Sequence, residues 1–225
     1  MRDSEGEGAR ARPAFIDVDG TLLDCSSERL FLAHLVGTGR LGAASVAGFL
    51  TAYAAHPIRT VSQGPGWNRT YLGGMDARAA EADAEEFSRT ALVPRIRPVV
   101  DSLLRQLGGR GFTPILLSAS LSWLIRPLGA AVGASDAVGS VPGERDGVLT
   151  GRIEGERPWG AAKRAMAGRL AEAAGFMLPE CCALGNSSSD VPLLSSCGIA
   201  YAVHPSRSLA RIARERGWQT MGGRS

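Results

Sequence analysis

The feature that most constrains this chain is a recurring unit, in which a short apolar run breaks off at a polar residue and a longer stretch of helical periodicity follows. Ala14-Phe15-Ile16 stops at Asp17, residues 112–117 stop at Ser118, and residues 181–184 stop at Gly185-Asn186. Residues 199–203 lead into a last helical pattern at 206–216. Runs this short and this apolar read as strands buried on both faces. Alternating with helices, they predict a parallel, doubly wound α/β sheet, a Rossmann-like core in which ligands bind beyond the carboxyl ends of the strands. Residues 138–141 and 148–153 add a strand and a hairpin partner, joined through 143–147.

The interval between the first two strands is helical in pattern throughout. Leu30, Phe31 and Leu35 are followed by Val46, Phe49, Leu50 and Tyr53, and then by an Asp76 cap ahead of 77–92. Residues 28–93 are therefore expected to form a small helical cap inserted after the first strand. Residues 13–27 and 94–225 remain as the core, and 1–12 as a flexible N-terminal arm. A chain of 225 residues suffices for one core and an insertion of that size.

Composition narrows the functional classes. No apolar stretch is long enough for a membrane span, and the N-terminal residues lack the hydrophobic segment of a secretory signal, so a cytoplasmic protein is expected. Cys25, Cys181, Cys182 and Cys197 have neither metal-ligand spacing nor disulfide-scaffold density, and read as reduced thiols. The adjacent Cys181 and Cys182 should point to opposite sheet faces. A net charge of +3, without a basic cluster interleaved with aromatics, gives no case for nucleic acid and suits a small anionic metabolite. Of the 25 basic residues all but Lys163 are arginine. A lysine kept in so arginine-biased a chain points to a site that needs a compact ammonium rather than a planar fork.

The polar groups at the strand ends form a set. Asp17 and Asp19 leave the first strand two residues apart and enter a turn at Gly20-Thr21. Ser118 follows the second strand, Lys163 comes from a helix, and Asn186 and Asp190 follow a later strand. Phosphoryl transfer needs an in-line nucleophile, neutralisation of the phosphoryl oxygens and a proton for the departing alkoxide. A carboxylate nucleophile divides one hard displacement into two easier ones, and a second carboxylate two residues on can serve as acid and base. A hydroxyl and an ammonium can hold the phosphate, while a hard divalent cation offsets the repulsion between carboxylate and phosphate.

With these motifs in order and spacing, the sequence resembles the haloacid dehalogenase (HAD) superfamily of phosphatases, and within it the phosphoserine-phosphatase-like subfamily IB. The residues that carry the resemblance are Asp17-x-Asp19-Gly20-Thr21, Ser118, Lys163 and Gly185-Asn186-x-x-x-Asp190. The resemblance implies a Mg²⁺-dependent hydrolase of a small-molecule phosphate monoester that works through an aspartyl-phosphate. Asp17 would be nucleophile and metal ligand. Asp19 would be general acid and base, with its carbonyl on the metal. Thr21, Ser118, Ala119 and Lys163 would bind phosphate, and Asn186 and Asp190 would complete or support the metal site. Ser26, Glu28, Trp67 and Arg69 are candidates for the substrate side of the cap.

Two departures qualify the expected activity. The family places an aspartate where this chain has Asn186, so weaker metal affinity is expected, and a non-catalytic homologue that binds a phosphorylated ligand or a protein is the alternative reading. Phosphoserine phosphatases carry an acid nine positions after the nucleophile, where this chain has Ser26, which makes phosphoserine a poor substrate candidate. A phospho-receiver domain would share the acceptor Asp, the cation, the hydroxyl and the lysine, but the long helical insertion argues against it. Transfer to an alcohol instead of water would use the same groups. Oligomeric state is not readable from the sequence.

Overall fold

The computed structural model describes residues 10–55 and 68–222. In chain order, β1 (Arg12–Ile16) is followed by α1 (Ser27–Gly37), α2 (Ala43–Ala55), α3 (Ala77–Phe87) and α4 (Pro98–Gly109). Then come β2 (Phe112–Leu121), α5 (Ser122–Ala131), β3 (Asp136–Arg145), β4 (Val148–Glu154) and α6 (Gly160–Ala173). The chain finishes with β5 (Cys182–Gly185), the single turn α7 (Val191–Leu194), β6 (Ile199–Val203), α8 (Arg207–Arg216) and β7 (Gln219–Met221). The strands form one sheet in the order β4-β3-β2-β1-β5-β6-β7, parallel except for the β3–β4 hairpin.

This is the doubly wound α/β architecture the sequence predicts, and its order explains where a site must lie. The chain winds outward from β1 toward β2 and β3, then returns to β1's other edge with β5. The crevice at which winding reverses therefore opens beside Asp17. Side chains alternate between two apolar layers. Ala14, Ile16, Cys182 and Leu184 face the layer covered by α4 and α5, whereas Phe15, Cys181 and Ala183 face that of α6, α7 and α8. Cys181 and Cys182 thus point to opposite faces, and all four cysteines are free thiols.

Between β1 and β2 the described residues are helical apart from isolated bridges. Leu23 pairs with Ile96 where the insertion leaves and rejoins the sheet. Phe31, Leu35, Tyr71, Leu72 and Ala84 are buried in the same apolar cluster as Ile16 and Leu116, so the insertion shares a core with one face of the sheet. His34 is part of this packing. Its ring sits against Phe31 and Phe87, and Nε2 lies 3.1 Å from Asp83 on α3. The hairpin grips the same region, with Leu149 N donating to Met75 O and Gly74 N to Leu149 O, both at 2.9 Å.

Several expectations need correcting. β2 does not end at Ser118 but runs to Leu121, because β2 outlasts its partner β1 at Leu116 and shifts register against β3 between Leu117 and Leu121. The hairpin turn is not 143–147. β3 continues to Arg145, and Asp146 and Gly147, both at positive φ, make a two-residue turn that follows the twist of the strands. The helix expected over 77–92 leaves α geometry at Ser88 for a wider turn ahead of Pro94. β7 gave no strand signal in the sequence. Trp67, His56 and most of the expected N-terminal arm lie outside the described residues. No helix among the described residues is long and apolar enough to cross a membrane.

One glycine measures how closely β3 packs on the start of α5. A Cβ on Gly139 would lie 2.6 Å from Ser122 Cα and 2.9 Å from Ser120 O, both backbone. Gly139→Ala is expected to destabilise the fold by about 2 kcal/mol, read as a lower urea midpoint at unchanged m-value.

Candidate active site

The chemistry begins where β1 ends. Asp17 is fixed by its N–H to Leu184 O at 3.0 Å, and its side chain leaves the sheet at the crevice beside β5. The next residues, Val18–Leu22, form a tight turn that needs Gly20 at φ +80°. A Cβ there would lie 2.0 Å from Asn186 Nδ2, so the glycine is required by space as well as by conformation. The turn brings Thr21 back to donate to Asp17 Oδ2 at 2.8 Å. It also aims Asp19 at the start of α1, where Ser27 N donates to Oδ1 at 3.0 Å and Ser26 Oγ to Oδ2 at 3.3 Å. The first residues of the helical insertion therefore hold the second carboxylate.

Lys163 is almost wholly buried on the first turn of α6. Its ammonium donates to Asp17 Oδ1 at 2.6 Å and to Asp190 Oδ1 at 2.8 Å. The other oxygen of Asp190 accepts from Asn186 N, Ser187 N and Ser187 Oγ at 3.1–3.2 Å. Burial and the charge of Asp190 push Asp17 up to about 7, against the lowering pull of Lys163 and Thr21. Burial works against the Lys163 charge too, but the two carboxylates outweigh it and the ammonium is held firmly protonated. Burial also raises Asp19, with the Ser27 and Ser26 hydrogen bonds opposing it.

A cavity of about 410 Å³ opens over this cluster. Asp17, Asp19, Ser26, Glu28, Arg69, Ser118, Ala119 and Asn186 all line it, so the structure brings together most of the residues singled out in the sequence. Thr21 and Lys163 stand behind the lining, bonded to Asp17. Asp190 was expected to complete or support the metal site. It is absent from the lining and bonded through both oxygens, so it props Lys163 and the 186–189 loop. Ser118 is buried, with its Oγ accepting from Ser120 N at 3.1 Å. Ala119 O receives both Arg69 and Ser140. A larger open groove of about 1010 Å³ lies along α8, between Arg97, His204, Arg207 and Trp218, and none of the residues above lines it.

On the far side of the cavity Arg69 meets Glu28 at 2.6 Å, and Tyr71 donates to the other Glu28 oxygen at 2.9 Å. Arg157, Trp159, Ser120 and Ser189 also line the cavity and were not foreseen. The pair at 157 and 159 precedes the Lys163 helix by one turn, a proximity in sequence that could have flagged them.

The donor set suits a hard divalent cation. The Asp17 carboxylate, the main chain of Asp19 and the Asn186 carboxamide offer oxygens around one cavity with room for water. Only one of the three carries a formal charge, and no group of three or more His, Cys, Asp or Glu that could hold a metal occurs among the described residues.

Comparison with known proteins agrees with this geometry. Residues 14–195 match the family model described as haloacid dehalogenase-like hydrolase. The chain is 31% identical over 212 residues to phosphoserine phosphatase SerB1 of Mycobacterium tuberculosis, covering 92% of this chain and 69% of that protein. It is 30% identical to the inhibition of morphological differentiation protein of Streptomyces azureus, over 97% of this chain and 80% of that one. A crystal structure of a protein of unknown function from Bordetella pertussis superposes with TM-score 0.80 at 28% identity, over 94% of this chain and 99% of that one. A phospho-aspartyl intermediate analogue of phosphoserine phosphatase superposes with TM-score 0.61 at 17% identity, over 94% and 93%, and so shares the fold.

The buried ammonium sets an expectation independent of any reaction. Lys163→Met leaves two carboxylates facing each other and should cost about 3–5 kcal/mol in urea unfolding. Adding Asp190→Asn to that variant should restore part of the loss. Additive losses in the double variant would show that the three groups do not act as a unit.

Proposed function

Because this chain belongs to the haloacid dehalogenase-like hydrolase family, we propose that it is a Mg²⁺-dependent phosphatase hydrolysing a small-molecule phosphate monoester through an aspartyl-phosphate at Asp17. The observation that carries the proposal is a carboxylate at a strand's carboxyl end, bonded to a buried lysine and opening on a cavity, with a second, half-buried carboxylate two residues away. The names of the relatives, phosphoserine phosphatase and probable phosphatase among them, support the same reaction class.

In this reading an Asp17 oxygen attacks phosphorus in line with the ester oxygen, and the bond from phosphorus to that oxygen breaks. Asp19 gives its proton to the departing alkoxide, a role that burial favours by stabilising the protonated carboxyl. Asp19 then takes a proton from water, whose oxygen attacks the same phosphorus, releasing inorganic phosphate and restoring Asp17. Lys163, Ser118 and Thr21 with the main chain at Ala119 hold the phosphoryl oxygens. Bound Mg²⁺, held by the Asp17 carboxylate, the Asp19 carbonyl and the Asn186 carboxamide, would supply the charge that keeps Asp17 ionised beside a phosphate dianion.

We take residues 28–93 as a cap over a core of 13–27 and 94–225. Ser26 and Ser27, where the core runs into that cap at the start of α1, hold Asp19, so cap position and acid position are linked. Asn186 favours one second reading, a homologue that binds a phosphorylated ligand without turnover.

With p-nitrophenyl phosphate the wild type should release p-nitrophenol only when Mg²⁺ is present, and Asp17→Asn should abolish release. Binding of phosphate without release would favour the second reading. Asn186→Asp should lower the Mg²⁺ concentration for half-maximal activity by roughly tenfold, since it adds a charged oxygen ligand. An unchanged Mg²⁺ requirement would remove residue 186 from the metal site.

A further inference from the structure

We infer that the leaving group of the substrate carries a second negative charge and no ammonium, and that Arg157, beside Trp159, recognises it. The inference rests on the phosphatase reading and specifies its substrate class.

The argument starts from charge. Among the described residues, and away from Asp17 and Asp19, the cavity lining holds one acid, Glu28, against three guanidiniums, Arg29, Arg69 and Arg157. Glu28 is already committed to the protein. One oxygen meets Arg69 at 2.6 Å and the other accepts from Tyr71 at 2.9 Å. Arg69 is in turn tied down, donating to Ala119 O at 3.0 Å and Asn68 O at 3.4 Å. An ammonium entering this end would find the Glu28 carboxylate already bonded on both oxygens, in surroundings where guanidiniums outnumber it. An anion would meet the reverse, and low-dielectric walls strengthen that preference.

Arg157 is placed to deliver it. It lines the same cavity as Glu28 and Arg69, and its guanidinium sits 5.6 Å from the Trp159 ring centre. Both residues belong to the segment that leads from β4 into α6, and Trp159 O accepts from Lys163 N at the first turn of that helix. The loop and the helix it leads into thus carry an arginine on the cavity wall and the lysine bonded to Asp17. Leu32 and Phe49 add apolar surface to the same cavity, whose volume of about 410 Å³ suits a compact substrate.

Three phenyl phosphates that differ only at the para position test this: carboxylate, hydrogen and aminomethyl. With Mg²⁺, kcat/KM for the carboxylate should exceed that for the unsubstituted ester by roughly tenfold, and that for the aminomethyl ester by more. The difference should appear in KM and shrink as salt rises. Arg157→Gln should bring the ratio of carboxylate to unsubstituted ester close to one, and Arg157→Lys should keep part of it. Equal KM values across the series, a preference for the ammonium, or an intact ratio in Arg157→Gln would overturn the assignment while leaving the phosphatase standing. Failure of the wild type to hydrolyse any aryl phosphate, p-nitrophenyl phosphate included, would instead sink the phosphatase reading and this inference with it.

Discussion

The ammonium of Lys163 between Asp17 and Asp190 is the contact on which the rest of the site depends. Lys163 and Asp190 are buried, and Asp17 largely so, at the meeting point of β1, α6 and the loop after β5, and none of these charges is tolerable there alone. A single buried carboxylate would be protonated, and a pair would repel. With the lysine between them, Asp17 remains near the point where it ionises and Asp190 is free to spend its second oxygen on the 186–187 backbone. That loop places Asn186 over Gly20, which has no side chain to obstruct it. An arginine, with its longer planar fork, would not fit a pocket that a single nitrogen fills at 2.6 and 2.8 Å from two carboxylates.

A second dependence runs between the insertion and the sheet. Asp19 is held by Ser26 and Ser27 at the head of α1, Ser27 Oγ shares a 2.6 Å hydrogen bond with Ser120 Oγ on β2, and Arg69 reaches Ala119 O from within the insertion. These bonds converge on the part of β2 that has outrun β1. Backbone groups there are available to side chains because strand pairing has lapsed, and the same lapse makes them available to a ligand. A buried apolar cluster common to both parts makes the insertion a packed neighbour of the sheet. Any movement of it relative to the core must therefore break polar bonds at the cavity as well as apolar contacts.

The division of the cavity into two ends follows from the same economy of buried charge. At the phosphate end one lysine faces two carboxylates. At the other, Glu28 is pushed up to about 7 by burial even with Arg69 and Tyr71 bonded to it, and further guanidiniums stand around it. The protein has satisfied Glu28 from within, and the surplus at that end is cationic.

What the sequence determined by itself was whatever local periodicity and turn chemistry encode. The buried strands β1, β5 and β6, the helical insertion, the glycine at position 20 and the two carboxylates beside it were all readable, because short apolar runs and strand-exit motifs are local signals. A lone lysine among arginines marked Lys163 before any partner was known. The tertiary structure alone decided which groups meet. Lys163 and Asp17 are separated by 146 positions, and only the packing of α6 against the sheet puts them 2.6 Å apart. It decided that Ser118 lies within β2 rather than at its end, since strand length there is set by neighbouring strands and not by β2's own residues. It gave Asp190 to Lys163 and its own loop, paired Glu28 with Arg69, and set Arg157 and Trp159 on the cavity wall. Each of these depends on the direction of a side chain across the fold, which no spacing along the chain records.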